Sequence, residues 1–250
     1  LQHSSTPGIS ALASDNMAAP EHPAHHPAAD AMPSHVYFGD THLHTAYSAD
    51  AGLVGNILGP DDAYRFARGE KVTSTTGTPT QLKRPLDFLV ISDHAENLGL
   101  PPAARESNPA LVSNPWGKQI ADLFQKGDIP SLTQAYMLWI KQVHGLDDPL
   151  KADSTLATTM WQRLTESAEK FNEPGRFTAL IGFEWTLMPD GKNLHRNVLF
   201  RDGKDKADQI IPASAYDFQD PEKLWTWMGN YERKTGGKLL AIPHNGNISN

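Results

Sequence analysis

The chain alternates apolar runs with polar stretches in a way that assigns most of its elements. Residues 36–44, "VYFGDTHLH", read as a strand, and "GPDDAYRFARG" reads as a short helix with Pro60 and Asp61 near its start. Leu86 to Ile91 in "LDFLVISDHAE" form an apolar run that predicts a buried strand ending abruptly in polar residues. Helical spacing covers 116–145 (Trp116, Ile120, Leu123, Phe124) and 154–172 (Leu156, Met160, Leu164), with a Gly/Asp/Pro break between them. "RFTALIGFEWTLM" predicts one more buried strand. "KNLHRNVLFRD" follows the turn "PDGK", so these two are expected to pair as a hairpin or near neighbours. After a helix around "PEKLWTWMGNYERKT", the run "GGKLLAIPHNGN" is again an apolar strand with a polar end.

Strands alternating with helices predict an α/β fold with a mostly parallel sheet. In α/β barrels the chemistry collects at the carboxyl ends of strands, where loops distant in sequence converge. Here apolar runs end in "SDH", "FEW" and "PHN", and the first strand carries "DTHLH". The chain ends at Asn250 just past a strand with no helix to cover it, which predicts an incomplete barrel in a longer polypeptide. Residues 1–34 show no apolar period and are rich in Ala, Pro, Ser and His, as expected of a solvated low-complexity arm. A single domain, 35–250, is expected to follow, with a helical insertion at about 101–173 walling the site.

Composition narrows the function. An apolar content of 39% and a charged content of 20% describe an ordinary globular chain, and a net charge of −7 argues against nucleic-acid binding. No apolar run is long enough to span a membrane. Cysteine is absent, so disulfides, thiolate zinc sites and cysteine nucleophiles are excluded, and any metal is held by His, Asp, Glu or Asn. The opening "LQHSSTPGIS" lacks both a methionine and a signal sequence. It fits a trimmed chain or one whose export peptide has been removed, and the latter gives the expectation of a periplasmic or secreted protein.

The candidate chemistry lies in "FGDTHLHTAYSAD". Asp40, His42 and His44 fall at every second residue, which on a strand places all three on one face. Polar groups buried together need a partner, either water at a strand end or a cation. An H-x-H alone decides little. The other strand ends add His94 with Asp93, Glu184, His195 and His244, and Asp50 follows His44 closely. Packing explains one such residue but not the series. Imidazole and carboxylate without sulfur suit zinc, manganese or iron, and the donors exceed what a single tetrahedral ion uses. Two or three ions sharing Glu184 would engage them all, and such a site binds both a nucleophilic hydroxide and phosphoryl oxygens. The competing readings are local: Asp93 as a helix cap, Glu184 on an amphipathic strand, and His195 exposed in a polar loop.

In order, "GDTHLHTAYSAD", "ISDHAENLG", "GFEWT", "LHRNVLF" and "IPHNGN" resemble successive motifs of the PHP (polymerase and histidinol phosphatase) superfamily. The wording is similar to a large, poorly characterised branch of exported bacterial proteins, over about Val36 to Asn250. The resemblance implies a distorted (β/α)7 barrel and phosphate-ester hydrolysis at a di- or trinuclear centre, with a small-molecule phosphoester as substrate. It places His42, His44 and Glu184 on one metal, and Glu184, His195 and His244 on a second. Asp50 and His94 fall on a third. Asp40 and Asp93 would orient metal-bound imidazoles, and Arg196 and Tyr47 would contact the phosphoryl group. The late D-x-H motif of the family is missing, and "PHN" replaces its commoner "HP", which leaves Asn245 as a ligand or an outer partner. Two alternatives stand beside this one. An amidohydrolase-type barrel also begins with H-x-H but commonly bridges its metals with a lysine, which "TALIGFEWT" lacks. A non-catalytic exported metal-binding protein is the other.

Overall fold

The strand expected around "DTHLH" is β1 (Gly39–Leu43), followed by the short helix α1 (Ala49–Gly52) and by α2 (Pro60–Ala67). Pro60 occupies the first turn of α2, where its missing N–H costs nothing, and the Asp62 carboxylate accepts from the Gly59 N–H. A small hairpin, β2 (Val72–Thr73) with β3 (Pro79–Thr80), leads to the buried strand β4 (Phe88–Ile91). This computed structural model describes residues 34–243, and those from Tyr37 onwards belong to one unit. The low-complexity arm up to residue 33, His244 and Asn245 lie outside the described residues.

Five helices fill the expected insertion: α3 (Leu100–Arg105), α4 (Pro109–Val112), α5 (Pro115–Lys126), α6 (Ile129–Gly145) and α7 (Thr155–Phe171). The helical spacing over 116–145 belongs to two helices, not one. Gly127 closes α5 in the left-handed region at φ 69°, and the Asp128 carboxylate caps α6 by accepting from the Ser131 N–H at 2.9 Å. Beyond α7 come β5 (Thr178–Leu180), β6 (Gly182–Trp185), β7 (Arg196–Phe200), the short α8 (Lys204–Ala207), α9 (Pro221–Thr235) and β8 (Leu239–Pro243).

The sheet is parallel only in its first half. β1, β4 and β5 pair in parallel in that order, whereas β6, β7 and β8 pair antiparallel. A short connection with no crossover helix joins β6 to β7, so β7 must run backwards, and the hairpin expected from "PDGK" is present. The run "TALIGFEW" is a strand that changes sheet at Ile181. Its first residues pair with β4, and the Ile181 carbonyl then accepts from the N–H of Phe200, the last residue of β7. Pairing with the β4 side nevertheless continues, because Glu184 N donates to Asp93 O and Ala95 N to Glu184 O. At this crowded junction a Cβ on Gly182 would lie 2.5 Å from Val90 Cγ1 and 3.1 Å from two carbonyl oxygens, so glycine is required. Among the described residues the strands form open sheets with β1 and β8 at the outer edges, a mixed α/β arrangement without a closed barrel.

Strand alternation separates packing from chemistry. Phe183 and Phe200 face α7 and α9, where their rings meet Trp161 (6.2 and 5.5 Å), while Trp227 meets Phe183 at 5.6 Å and Tyr231 meets Phe200 at 5.2 Å. Glu184, one residue on, therefore points to the opposite side. Trp161 is 1% exposed and donates its indole N–H to the Ala207 carbonyl at 3.1 Å. Trp161→Ala is expected to cost about 3–5 kcal/mol, the range for deleting a buried aromatic. Urea unfolding with an unchanged slope would measure it, and a cost below about 1 kcal/mol would show that this layer is not a packed core.

Candidate metal centre

Four strands and a short helix bring the donors together. β1 carries His42 and His44 follows its end, α1 carries Asp50, His94 lies three residues past β4, β6 carries Glu184, and His195 immediately precedes β7. Glu184 is the centre of the arrangement and has no solvent exposure. Its Oε2 lies 3.0 Å from His42 Nε2 and 2.8 Å from His44 Nε2, and those two nitrogens are 3.2 Å apart. Its Oε1 lies 2.6 Å from His195 Nδ1. The two oxygens thus serve opposite sides, the disposition of a carboxylate that joins two cations.

Asp50 builds the neighbouring corner. Its carboxylate accepts from His44 Nδ1 at 3.1 Å and lies 3.4 Å from His94 Nε2, while Ser48 Oγ also reaches His44 Nδ1 at 3.2 Å. The residues form three overlapping groups able to hold a metal ion: His42, His44 and Glu184; His44, Asp50 and His94; His94, Glu184 and His195. The donors are imidazole and carboxylate alone. In the first group they stand 2.8–3.2 Å apart, against about 3.4 Å for donors around a tetrahedral ion at about 2.1 Å. That group would accept a divalent ion with its donors moving apart by about 0.2–0.6 Å, and the imidazole and carboxylate donors of all three groups are of the kind such ions take. Six of the seven residues expected as ligands (His42, His44, Asp50, His94, Glu184 and His195) meet here, and the seventh, His244, lies outside the described residues.

The electrostatics point the same way. Burial by itself lowers the His44 pKa, but hydrogen bonds to Asp50 and Glu184 reverse this and raise it to about 10. Burial likewise opposes ionisation of Asp50 and Glu184, yet the surrounding imidazoles hold both carboxyls far below their ordinary range. His94 is driven up against its burial by Glu184 and Asp50. The pocket is built to keep two carboxylates ionised beside cations, whether protons or metal ions.

The acids expected to orient the imidazoles do something else. Asp40 is exposed and its Oδ1 accepts from the backbone N–H of His42 at 2.9 Å, not from a ring. Asp93 is fully buried but, as the neighbour of His94 on an extended segment, points away from the cluster. It accepts from the Thr45 backbone and from Thr45 Oγ1 (2.8 Å), pinning the end of β1 to the end of β4. Burial raises its pKa to about 6, with His44 and the Thr45 bonds opposing. Arg196 starts β7 and donates from Nη1 to the His195 carbonyl at 2.7 Å, while Tyr47 is directed towards Arg163. The residues that do support the rings are Asp50, Ser48 and Thr186, the last against His94 Nδ1. Asn197 was also missed as a site residue; its Nδ2 donates to the Thr41 carbonyl at 3.1 Å and so ties β7 to β1. Thr186 lies two residues from Glu184 and Asn197 two from His195, and that nearness was the only sign of their roles.

A cavity of about 380 Å3 begins at Ala95 and Asn97, just past His94. The helical insertion supplies part of its wall through Asp148, Leu150 and Leu156, and Tyr216 and Trp227 also line it, but none of the six donors does. Among the described residues no helix is long and apolar enough to cross a membrane. Neither the curated proteins nor the solved structures include one that matches the chain. The sequence signature of a protein family of unknown function, DUF3604, matches residues 31–250. Covering nearly all of the chain and every motif of the cluster, that match makes this protein a member of the DUF3604 family.

Proposed function

We propose that the protein is a metal-dependent hydrolase of phosphate esters, using two or three divalent ions held around Glu184. The observation that supports this most is the split use of one buried carboxylate, with Oε2 between His42 and His44 and Oε1 against His195. Resemblance of the five motifs to PHP phosphoesterases supplies the reaction class, and with it a (β/α)7 barrel as the family architecture. When bound, divalent ions supply an activated water at neutral pH and neutralise phosphoryl charge. The chain itself holds the donors in register. Thr45 and Asp93 lock β1 against β4, Asn197 ties β7 to β1, and Glu184 is fixed by backbone pairing on the Asp93 side. Arg196, at the start of β7, pairs with Trp185 across the hairpin and so lies on the face opposite Glu184, with its Nη1 on the His195 carbonyl; it is not counted among the phosphoryl contacts.

The cavity that begins at Ala95 is lined by none of the six metal donors, and its lining suits an uncharged group more than a phosphate. Asp148, Asp153 and Asp217 line it against one lysine, Lys151, and repel an added anion. Export to the periplasm or the cell exterior belongs to the same proposal. Metal analysis of the purified full-length protein, followed by an ester panel with each metal restored, tests the reading. At least two ions per chain and hydrolysis of aryl phosphates lost on chelation are expected. Turnover confined to amides, lactones or sulfate esters would reject the phosphoesterase assignment, and less than one ion per chain would reject the metal centre.

A further inference from the structure

His94 belongs to two of the three donor groups, one with Asp50 and His44 and one with Glu184 and His195. A neutral imidazole offers a single lone pair, so it serves one of them at a time. Its two nitrogens face different surroundings. Nε2 lies 3.4 Å from Asp50 Oδ2, whereas Nδ1 is in hydrogen-bond contact with Thr186 Oγ1 and stands 4.0 Å from Glu184 Oε1. Thr186 follows β6 directly, and its own backbone N–H donates to Glu96 Oε1 at 3.2 Å. The same oxygen accepts from Ala215 N at 2.7 Å, so Glu96, which has no exposure, fastens Thr186 to the 215 loop. Thr186 is itself only 3% exposed, which leaves its hydroxyl no bulk water as an alternative partner.

On the reading of this cluster as a metal centre, we infer that Thr186 is a positioning residue that assigns His94 to the Asp50 side. Its Oγ1 accepts the Nδ1 proton, and the lone pair is left on Nε2 facing Asp50. His195 and Glu184 then serve their own ion without His94. Glu96 acts one step further back, by holding the Thr186 backbone where the hydroxyl meets the ring. A partner of this kind is worth about 10–100-fold in metal affinity.

The test uses the full chain stripped of metal and titrated with zinc alone. Thr186→Val removes the hydroxyl at nearly constant volume, and Thr186→Ser restores it. Wild type and Thr186→Ser are expected to bind zinc alike, while Thr186→Val weakens one class of site about 10–100-fold and leaves the others unchanged. Independently, nitrogen-15 spectra of the zinc-loaded wild type, with His94 identified by loss of its signals in His94→Gln, are expected to show a protonated Nδ1 and a coordinated Nε2. Coordination through Nδ1, or identical zinc affinities in Thr186→Val, would overturn the inference while leaving the metal centre in place. No zinc binding by the wild type would overturn both. Should Thr186→Val not fold, the nitrogen assignment in the wild type decides alone.

Discussion

Glu184→Gln is expected to abolish metal-dependent turnover and to remove at least one ion per chain, while the fold is kept. The substitution preserves the shape of the side chain but replaces an oxygen by an NH2 group, which cannot ligate and donates towards nitrogens that need an acceptor. Both carboxylate oxygens are in use, Oε2 by His42 and His44 and Oε1 by His195, so either orientation of the amide breaks one side. The loss in activity should exceed about a hundredfold, the upper end for residues that only support a metal ligand. A second effect follows in the metal-free protein. His44, which is protonated there, loses a fully buried counter-charge, and breaking a buried pair in this way costs about 3–5 kcal/mol. Thermal unfolding of the stripped variant at neutral pH measures that cost, and turnover with metal content at wild-type levels would remove Glu184 from the centre.

How much of this was legible beforehand depended on where each signal sat. Ligand residues stood out because histidines and carboxylates at the ends of apolar strands have no packing explanation, and His42, His44, His94, Glu184 and His195 do converge. The helix over 221–235 and the hairpin of β6 with β7 were marked by a Pro start and a "PDGK" turn. The change of sheet at Ile181 left no trace, because an apolar run buried on both sides reads the same whichever strand pairs with it. The split of 116–145 was readable in principle, since "KGDIP" carries a glycine stop, an aspartate cap and a proline start within five residues. Roles that depend on which atom faces which are invisible to spacing. Asp93 and Asp40 looked like partners of imidazoles and proved to hold backbone, whereas Thr186 and Asn197 were not singled out by their spacing and touch the site.

Metal affinity is expected to fall about tenfold for each unit of decreasing pH between about 9 and 6, because binding must displace a proton from His44. The sign follows from the metal-free protein. There the His44 pKa is lowered by burial and more than restored by Asp50 and Glu184, to about 10, so the ring carries a proton throughout that window. The ion that ligates His44 would release this one proton, and its apparent affinity changes by one power of ten per unit. His94, also driven upward, steepens the slope for the ion it serves as its proton is displaced too. Stability of the metal-free form moves the opposite way. A pKa raised above the unfolded value near 6.5 contributes stability that is complete below that pH and is lost as the pH rises towards 10. Zinc titrations in buffers from pH 6 to 9, paired with thermal melts of stripped and loaded protein, would show the two trends crossing. A zinc affinity that does not change with pH would mean that His44 is already neutral in the free protein and that the carboxylates around it do not hold a proton in the place of a metal.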